Sequence, residues 1–214
     1  MTKKISSTWV IQIAIYILKK GELCMTQQTH FFLALSLPQH IREVLQSFRE
    51  LVEPKLPFKS WVHPQDLHIT LAFLGKPSSI EQIQAVKLRL ASIMPSHKAF
   101  QLELEGIGTF GKPESPRILW SGVKQEDRLV SLQKDVYRAC TEVGFTLEDR
   151  PFTPHITLAR RWNSEIPFKA IDKIVQPKEE FTAFIAEHIV LYQTHLKRLP
   201  KYQPLSIYPL GNKE

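Results

Sequence analysis

The sequence predicts an α+β protein of two lobes, each an antiparallel sheet flanked by helices, related by an approximate twofold with an active cleft between them. Three observations predict it. Strand-like alternation and helical spacing take turns along most of the chain. The tetrapeptide His-Ile-Thr-Leu occurs twice, at 68–71 and at 155–158. The elements around the second copy also repeat the plan of those around the first.

The first strand signal is His30-Phe-Phe-Leu-Ala-Leu-Ser-Leu37, stopped by Pro38. Residues 39–52 set Ile41, Val44, Leu45, Phe48 and Leu51 at helical intervals, and Pro54 and Pro57 end that helix. Trp61-Val62 leads into Leu67-His-Ile-Thr-Leu-Ala-Phe-Leu74, a strand closed by Gly75 and Pro77. Ser78 or Ser79 can cap a second helix with Ile80, Ile83, Val86, Leu90 and Ile93 as its apolar stripe. Phe100-Gln-Leu-Glu-Leu104 alternates strictly, and Arg117–Val123 follows a Gly/Pro-rich turn as a further strand. A third helix over 126–143 carries Leu129, Leu132, Val136, Tyr137 and Cys140 and closes at Gly144. The second motif lies in Phe152–Ala159, and a polar stretch runs from 161 to 180. Phe184–Tyr192 and Leu205–Tyr208 complete the strands.

A chain of 214 residues, 43% hydrophobic and 23% charged, has ample material for a buried core. Residues 25–214 read as a single bilobal domain. With only Cys24 and Cys140 there is no disulfide framework or cysteine-rich metal site, and a reducing, cytoplasmic setting is expected. The formal charge is +7, but the first 24 residues hold four lysines and one glutamate, so the remainder carries only +4. That permits a phosphate ligand without demanding one. The apolar run Trp9–Leu18 between lysine pairs is shorter than the about 20 residues of a membrane span, and no small-residue cleavage site follows it. Met25 opens Met-Thr-Gln-Gln-Thr-His-Phe-Phe, a natural start for the first strand. Residues 1–24 are therefore expected to be a mis-called translation start.

The chemistry rests on the repeated motif. Side chains alternate faces along a strand, so His68 and Thr70 share one face while Ile69 and Leu71 share the other. His155 and Thr157 stand opposite Ile156 and Leu158 in the same way. An apolar face seeks a core; a His/Thr face seeks water or a ligand. Opening a cyclic phosphodiester requires a water deprotonated on one side and a leaving alkoxide protonated on the other. Imidazole, with an unperturbed pKa of about 6.5, serves in either role. Two histidines flanking one phosphate suffice for this without a metal, and threonine hydroxyls can donate to the phosphate oxygens. A bell-shaped pH dependence with both limbs near neutrality is expected.

The paired motifs resemble the His-x-Thr-x signature of the 2H phosphoesterases. Phe31-Phe-Leu-Ala-Leu-Ser-Leu-Pro38, Leu67–Gly75, Arg117–Val123 and Arg150-Pro-Phe-Thr-Pro-His-Ile-Thr-Leu-Ala-Arg160 are similar to the RNA 2′,3′-cyclic phosphodiesterase branch, historically called 2′-5′ RNA ligase. The resemblance runs from about residue 29 to 210. It implies a bilobal fold and metal-independent hydrolysis of RNA 2′,3′-cyclic phosphodiester ends to 2′-phosphomonoesters. It further implies His68 as proton donor to the leaving 3′ oxygen, His155 as proton acceptor from water, and Thr70 and Thr157 as phosphate holders. Arg160 becomes a candidate for phosphate or base contact, although strict alternation points it away from His155 unless a strand end or bulge intervenes. Phe32 matches an aromatic that stacks on the terminal base. The implied partner is RNA or an oligonucleotide with a cyclic phosphate end, handled by a cytoplasmic monomer with no cofactor, membrane or protein partner.

Other readings compete. A lone strand histidine is usually a structural residue, and threonine is simply a good strand former. Two identical His/Thr faces in separate strands are hard to obtain from packing alone. Zinc is disfavoured because neither motif has a second ligand nearby, as in His-x-x-x-His or Cys-x-x-Cys. An RNA-binding module without catalysis would leave both histidines idle. Ligation by the reverse reaction is allowed on the same residues, but water favours hydrolysis. The remaining histidines show no patterning, and Trp61 and Trp120 read as core. Arg160-Arg161 and Lys197-Arg198 are either solvated charge or RNA backbone contacts.

Overall fold

Strand β1 (Phe31–Ser36) is buried along nearly its whole length, so it must lie inside a sheet with both faces covered. It does, between β3 (His68–Gly75) and β8 (His188–Thr194), antiparallel to both. The computed structural model describes residues 29–168 and 182–211. The expectation attached to residues 1–24 lies outside these, as does most of the polar stretch after 168.

The remaining strands are β2 (Phe58–Trp61), β4 (Phe100–Lys112), β5 (Ser115–Val123), β6 (His155–Trp162), β7 (Ala183–Ala186) and β9 (Tyr202–Pro209). Their order is β7-β4-β5-β6-β3-β1-β8-β9, with β2 paired to β6. Read from the middle, it is two four-stranded antiparallel sheets, β6-β5-β4-β7 and β3-β1-β8-β9. They meet at a single backbone pairing, Ile69 with Ile156. On either side of that pairing the strands part, and β2 takes up the edge of β6 at residues 159–162. The motif strands are thus the inner edges of the two halves.

Helix α1 (Gln39–Val52) joins β1 to the β2–β3 region, and α3 (Asp127–Glu142) joins β5 to β6, the same step in each half. α1 buries Ile41, Leu45, Phe48 and Val52. α3 buries Leu129, Leu132, Val136, Ala139 and Cys140, and Gly144 follows it in the left-handed conformation (φ 87°). Between them, α2 (Ile80–Ile93) is capped by Ser79, whose hydroxyl accepts from the Gln82 amide at 3.3 Å. The helices tie the halves together. Gln133 on α3 donates to the Leu71 carbonyl of β3 at 3.3 Å, and His40 on α1 meets the Ala183 carbonyl of β7 at 3.2 Å. One core cluster runs through both halves, from Phe31 and Leu33 to Leu119 and Ile156.

Two features differ from the sequence expectation. The run Phe184–Tyr192 is not one strand but β7 and β8, divided at exposed Glu187. β7 pairs with β4 and β8 with β1, so the chain crosses between halves at that point. β4 also continues well past Leu104, because Gly106 and Gly108 blank out the alternation there without ending the pairing with β5.

Candidate active site

Ile69 and Ile156 are fully buried, and their pairing fixes everything beside them. Residues flanking them on each strand project from the opposite face. His68 and Thr70 on β3 and His155 and Thr157 on β6 therefore share one face, across the line where the halves meet. Each imidazole is held by the carbonyl two residues earlier. His68 Nδ1 lies 2.7 Å from the Asp66 carbonyl and His155 Nδ1 lies 2.8 Å from that of Thr153. A carbonyl only accepts, so Nδ1 carries the proton in both rings, and each neutral imidazole presents a lone pair on Nε2. Thr70 Oγ1 stands 3.0 Å from His68 Nε2, whereas the Thr157 hydroxyl has no hydrogen-bond partner among the described residues.

A bulge in each motif strand re-aims the residue five positions after its histidine. Along the β1–β3 ladder Leu33 faces Ala72 and Ala34 faces Thr70, leaving Leu71 as the extra residue. Along the β5–β6 ladder Leu119 faces Ala159 and Trp120 faces Thr157, leaving Leu158 as the extra residue. Burial agrees: Leu71 and Ala72 are both buried, and so are Leu158 and Ala159. The next residue is thereby returned to the histidine face. That residue is Phe73, 53% exposed, in one half and exposed Arg160 in the other. Arg160 reaches the site through its bulge, and its charge acts on both histidines and on the Tyr202 hydroxyl.

The two imidazoles sit against aromatic walls. Phe32, Tyr192 and Tyr202 surround His68 with ring centroids 4.8, 6.2 and 5.3 Å away. Phe110 and Trp120 flank His155 at 4.9 and 6.3 Å. Burial among these rings pushes the His68 pKa down to about 4, against the opposing pull of the Asp66 carbonyl and with added repulsion from Arg160. His155 is lowered by the same causes, burial first and then Arg160, with the Thr153 carbonyl opposing them. The Asp66 carboxylate is also buried, and it accepts the backbone amides of Lys201 and Tyr202 at 2.9 and 3.0 Å. One residue thus orients His68 through its carbonyl and anchors the start of β9 through its side chain.

The four motif residues and Arg160 are brought to one face. Phe32 is placed differently from the expectation. It is 4% exposed and packed on His68, so it has no open ring to offer a base. Phe73 offers one. Trp120, expected in the core, is half-buried beside His155, over the bare backbone of Gly108. Sequence reasoning missed Phe73, Asp66, Tyr192, Tyr202 and Phe110. For Phe73 a signal existed, since His-x-Thr-x-x-Phe and His-x-Thr-x-x-Arg have the same spacing. No group of three His, Cys, Asp or Glu side chains that could hold a metal occurs among the described residues, and no described helix is long and apolar enough to cross a membrane.

The model for the 2′-5′ RNA ligase superfamily matches residues 37–198. A relative named RNA 2′,3′-cyclic phosphodiesterase from Geobacillus stearothermophilus is 39% identical over 86% of this chain, which spans 58% of that relative's length. One of the same name from Bacillus subtilis is 35% identical over 85% of this chain and 97% of its own. The crystal structure of E. coli LigT complexed with 3′-AMP superimposes with a TM-score of 0.71 at 28% identity, covering 85% of this chain and 98% of that one.

Proposed function

The chain belongs to the 2′-5′ RNA ligase superfamily, and we propose that it hydrolyses RNA 2′,3′-cyclic phosphodiester ends to 2′-phosphomonoesters by two-histidine acid–base catalysis. The observation that carries this reading is the matched pair of imidazoles, each fixed through Nδ1 and each turning Nε2 to a common face. The cyclic phosphate sits between them. His155 Nε2 takes a proton from water as its oxygen attacks phosphorus. The P–O3′ bond breaks, and His68 Nε2 gives its proton to O3′. His68 comes to that step protonated, favoured by the negative charge of the bound phosphate. Thr157 donates to a phosphate oxygen, and Thr70 does so once substrate draws its hydroxyl from His68. Arg160 offsets the charge that grows on the phosphate. Phe73 gives its exposed face to the terminal base, and Phe32 serves as a positioning residue behind His68.

The test is turnover of a cyclic-ended oligonucleotide in EDTA, with the product identified by NMR. His68→Ala and His155→Ala should each lose at least about 10²-fold in kcat, with substrate binding changed far less. The double variant should lose much less than the product of the single losses, since the two act as one unit. Binding by the wild type without turnover would leave an RNA-binding module instead. A single variant of near wild-type rate, or one rescued only by zinc, would overturn the mechanism.

A further inference from the structure

The hairpin loop between β8 and β9, residues 195–201, contains Lys197, Arg198 and Lys201, and nothing in the hydrolytic step uses them. We propose that this loop is a docking arm for the RNA backbone, making the preferred substrate an oligonucleotide rather than a cyclic mononucleotide. The inference rests on the phosphodiesterase reading and concerns the part of the substrate upstream of its reacting end.

Three observations carry it. The first is placement. The carboxylate of Asp66, two residues before His68 and just ahead of β3, clamps the amides of Lys201 and Tyr202. Tyr202 lies 5.3 Å from the His68 ring and within the field of Arg160 of the other half. The arm is therefore tied to the reacting centre. The second is charge. No aspartate or glutamate occurs between Glu187 and Glu214. The one described carboxylate bonded to the loop is occupied by backbone amides, not by the side-chain cations. Among the described residues Arg198 bonds only the neutral Gln203 amide oxygen, at 2.8 Å. Such uncompensated cations suit a strand of phosphates, where releasing condensed counterions favours binding. The third is exposure. Leu196 and Leu199, 57% and 68% exposed, bracket Lys197 and Arg198 and offer apolar surface to unstacked bases.

The experiment compares wild type with the triple variant Lys197→Gln, Arg198→Gln, Lys201→Gln on two substrates, a cyclic mononucleotide and a cyclic-ended decanucleotide, over a salt series. The variant should hydrolyse the mononucleotide within about twofold of wild type and lose roughly tenfold in kcat/KM on the decanucleotide. Its log–log salt slope on the decanucleotide should flatten by about 2, from about 0.7 for each single-strand phosphate contact removed. Equal losses on both substrates, or none on the decanucleotide, overturn the arm while leaving the hydrolase intact. Should wild type turn over neither substrate, the phosphodiesterase reading fails. The arm is then judged by fluorescence anisotropy of a labelled 2′-phosphate decanucleotide, where an unchanged salt slope in the variant rejects it.

Discussion

His68 and His155 receive the same backbone hydrogen bond but live in different surroundings, and the difference sets the pH at which they work. Three aromatic rings and the Thr70 hydroxyl enclose His68, while His155 has two rings. Burial lowers both pKa values, and Arg160 lowers them further. In the free protein both imidazoles are therefore neutral at pH 7. That suits a base in His155 directly, whereas the His68 acid is drawn from a minor protonated form. The sequence expectation of limbs near neutrality took unperturbed imidazoles; the walls displace it. The pH profile of kcat/KM, which reports the free enzyme, should be a bell lying on the acid side of about 6.5. Arg160→Gln removes a positive charge that disfavours imidazolium, so both limbs should move to higher pH while the maximum falls about 10²-fold. A bell that shrinks without moving would mean that Arg160 touches the phosphate alone.

At the scale of elements, the bulges at Leu71 and Leu158 do what alternation could not foretell. The motifs made the His/Thr faces readable because three residues of a strand suffice to assign a face. Five residues do not, since one inserted residue reverses the parity. Arg160 is thus a candidate from sequence only on condition of a strand end or bulge, which the structure has, and Phe73 gives no sign by alternation. Asp66 was illegible for another reason, because its partners Lys201 and Tyr202 are 135 and 136 residues away. The helices and most strands were legible from periodicity and from prolines and glycines, but the switch at Glu187 depends on which neighbour each strand finds. The bulge in β3 makes a prediction of its own. Phe73→Leu keeps an apolar side chain but removes the flat face, and a base stacked on an aromatic is worth about 1–3 kcal/mol. KM for a cyclic nucleotide should rise by roughly five- to a hundredfold, while ribose 2′,3′-cyclic phosphate, which lacks a base, should be handled as by wild type. A rise on both substrates would make Phe73 a support for the strand and not a platform.

For the whole molecule, the site sits where two half-sheets touch through one pair of isoleucines, and its histidines are titratable groups half-buried at that seam. Stability and catalysis are consequently linked through protons. The His68 pKa is about 4 in the folded chain and about 6.5 when unfolded. Between those values the unfolded chain binds a proton that the native state refuses, so stability falls as pH falls from about 6.5 to about 4. It is fully present above that window. At about 1.4 kcal/mol per unit, His68 contributes at most on the order of 3 kcal/mol to this loss, and His155 adds to it in the same direction. Thermal melts from pH 7.5 to 4.5 should show wild type losing more Tm than the double variant His68→Asn, His155→Asn. In that variant the asparagine amide stands in for Nδ1 toward the same carbonyls but does not titrate. The carboxylates that also respond to acid are common to both proteins and cancel in the comparison. Parallel melting curves across the range would mean that neither imidazole is held neutral by the fold, and the acid-shifted bell would fall with that result.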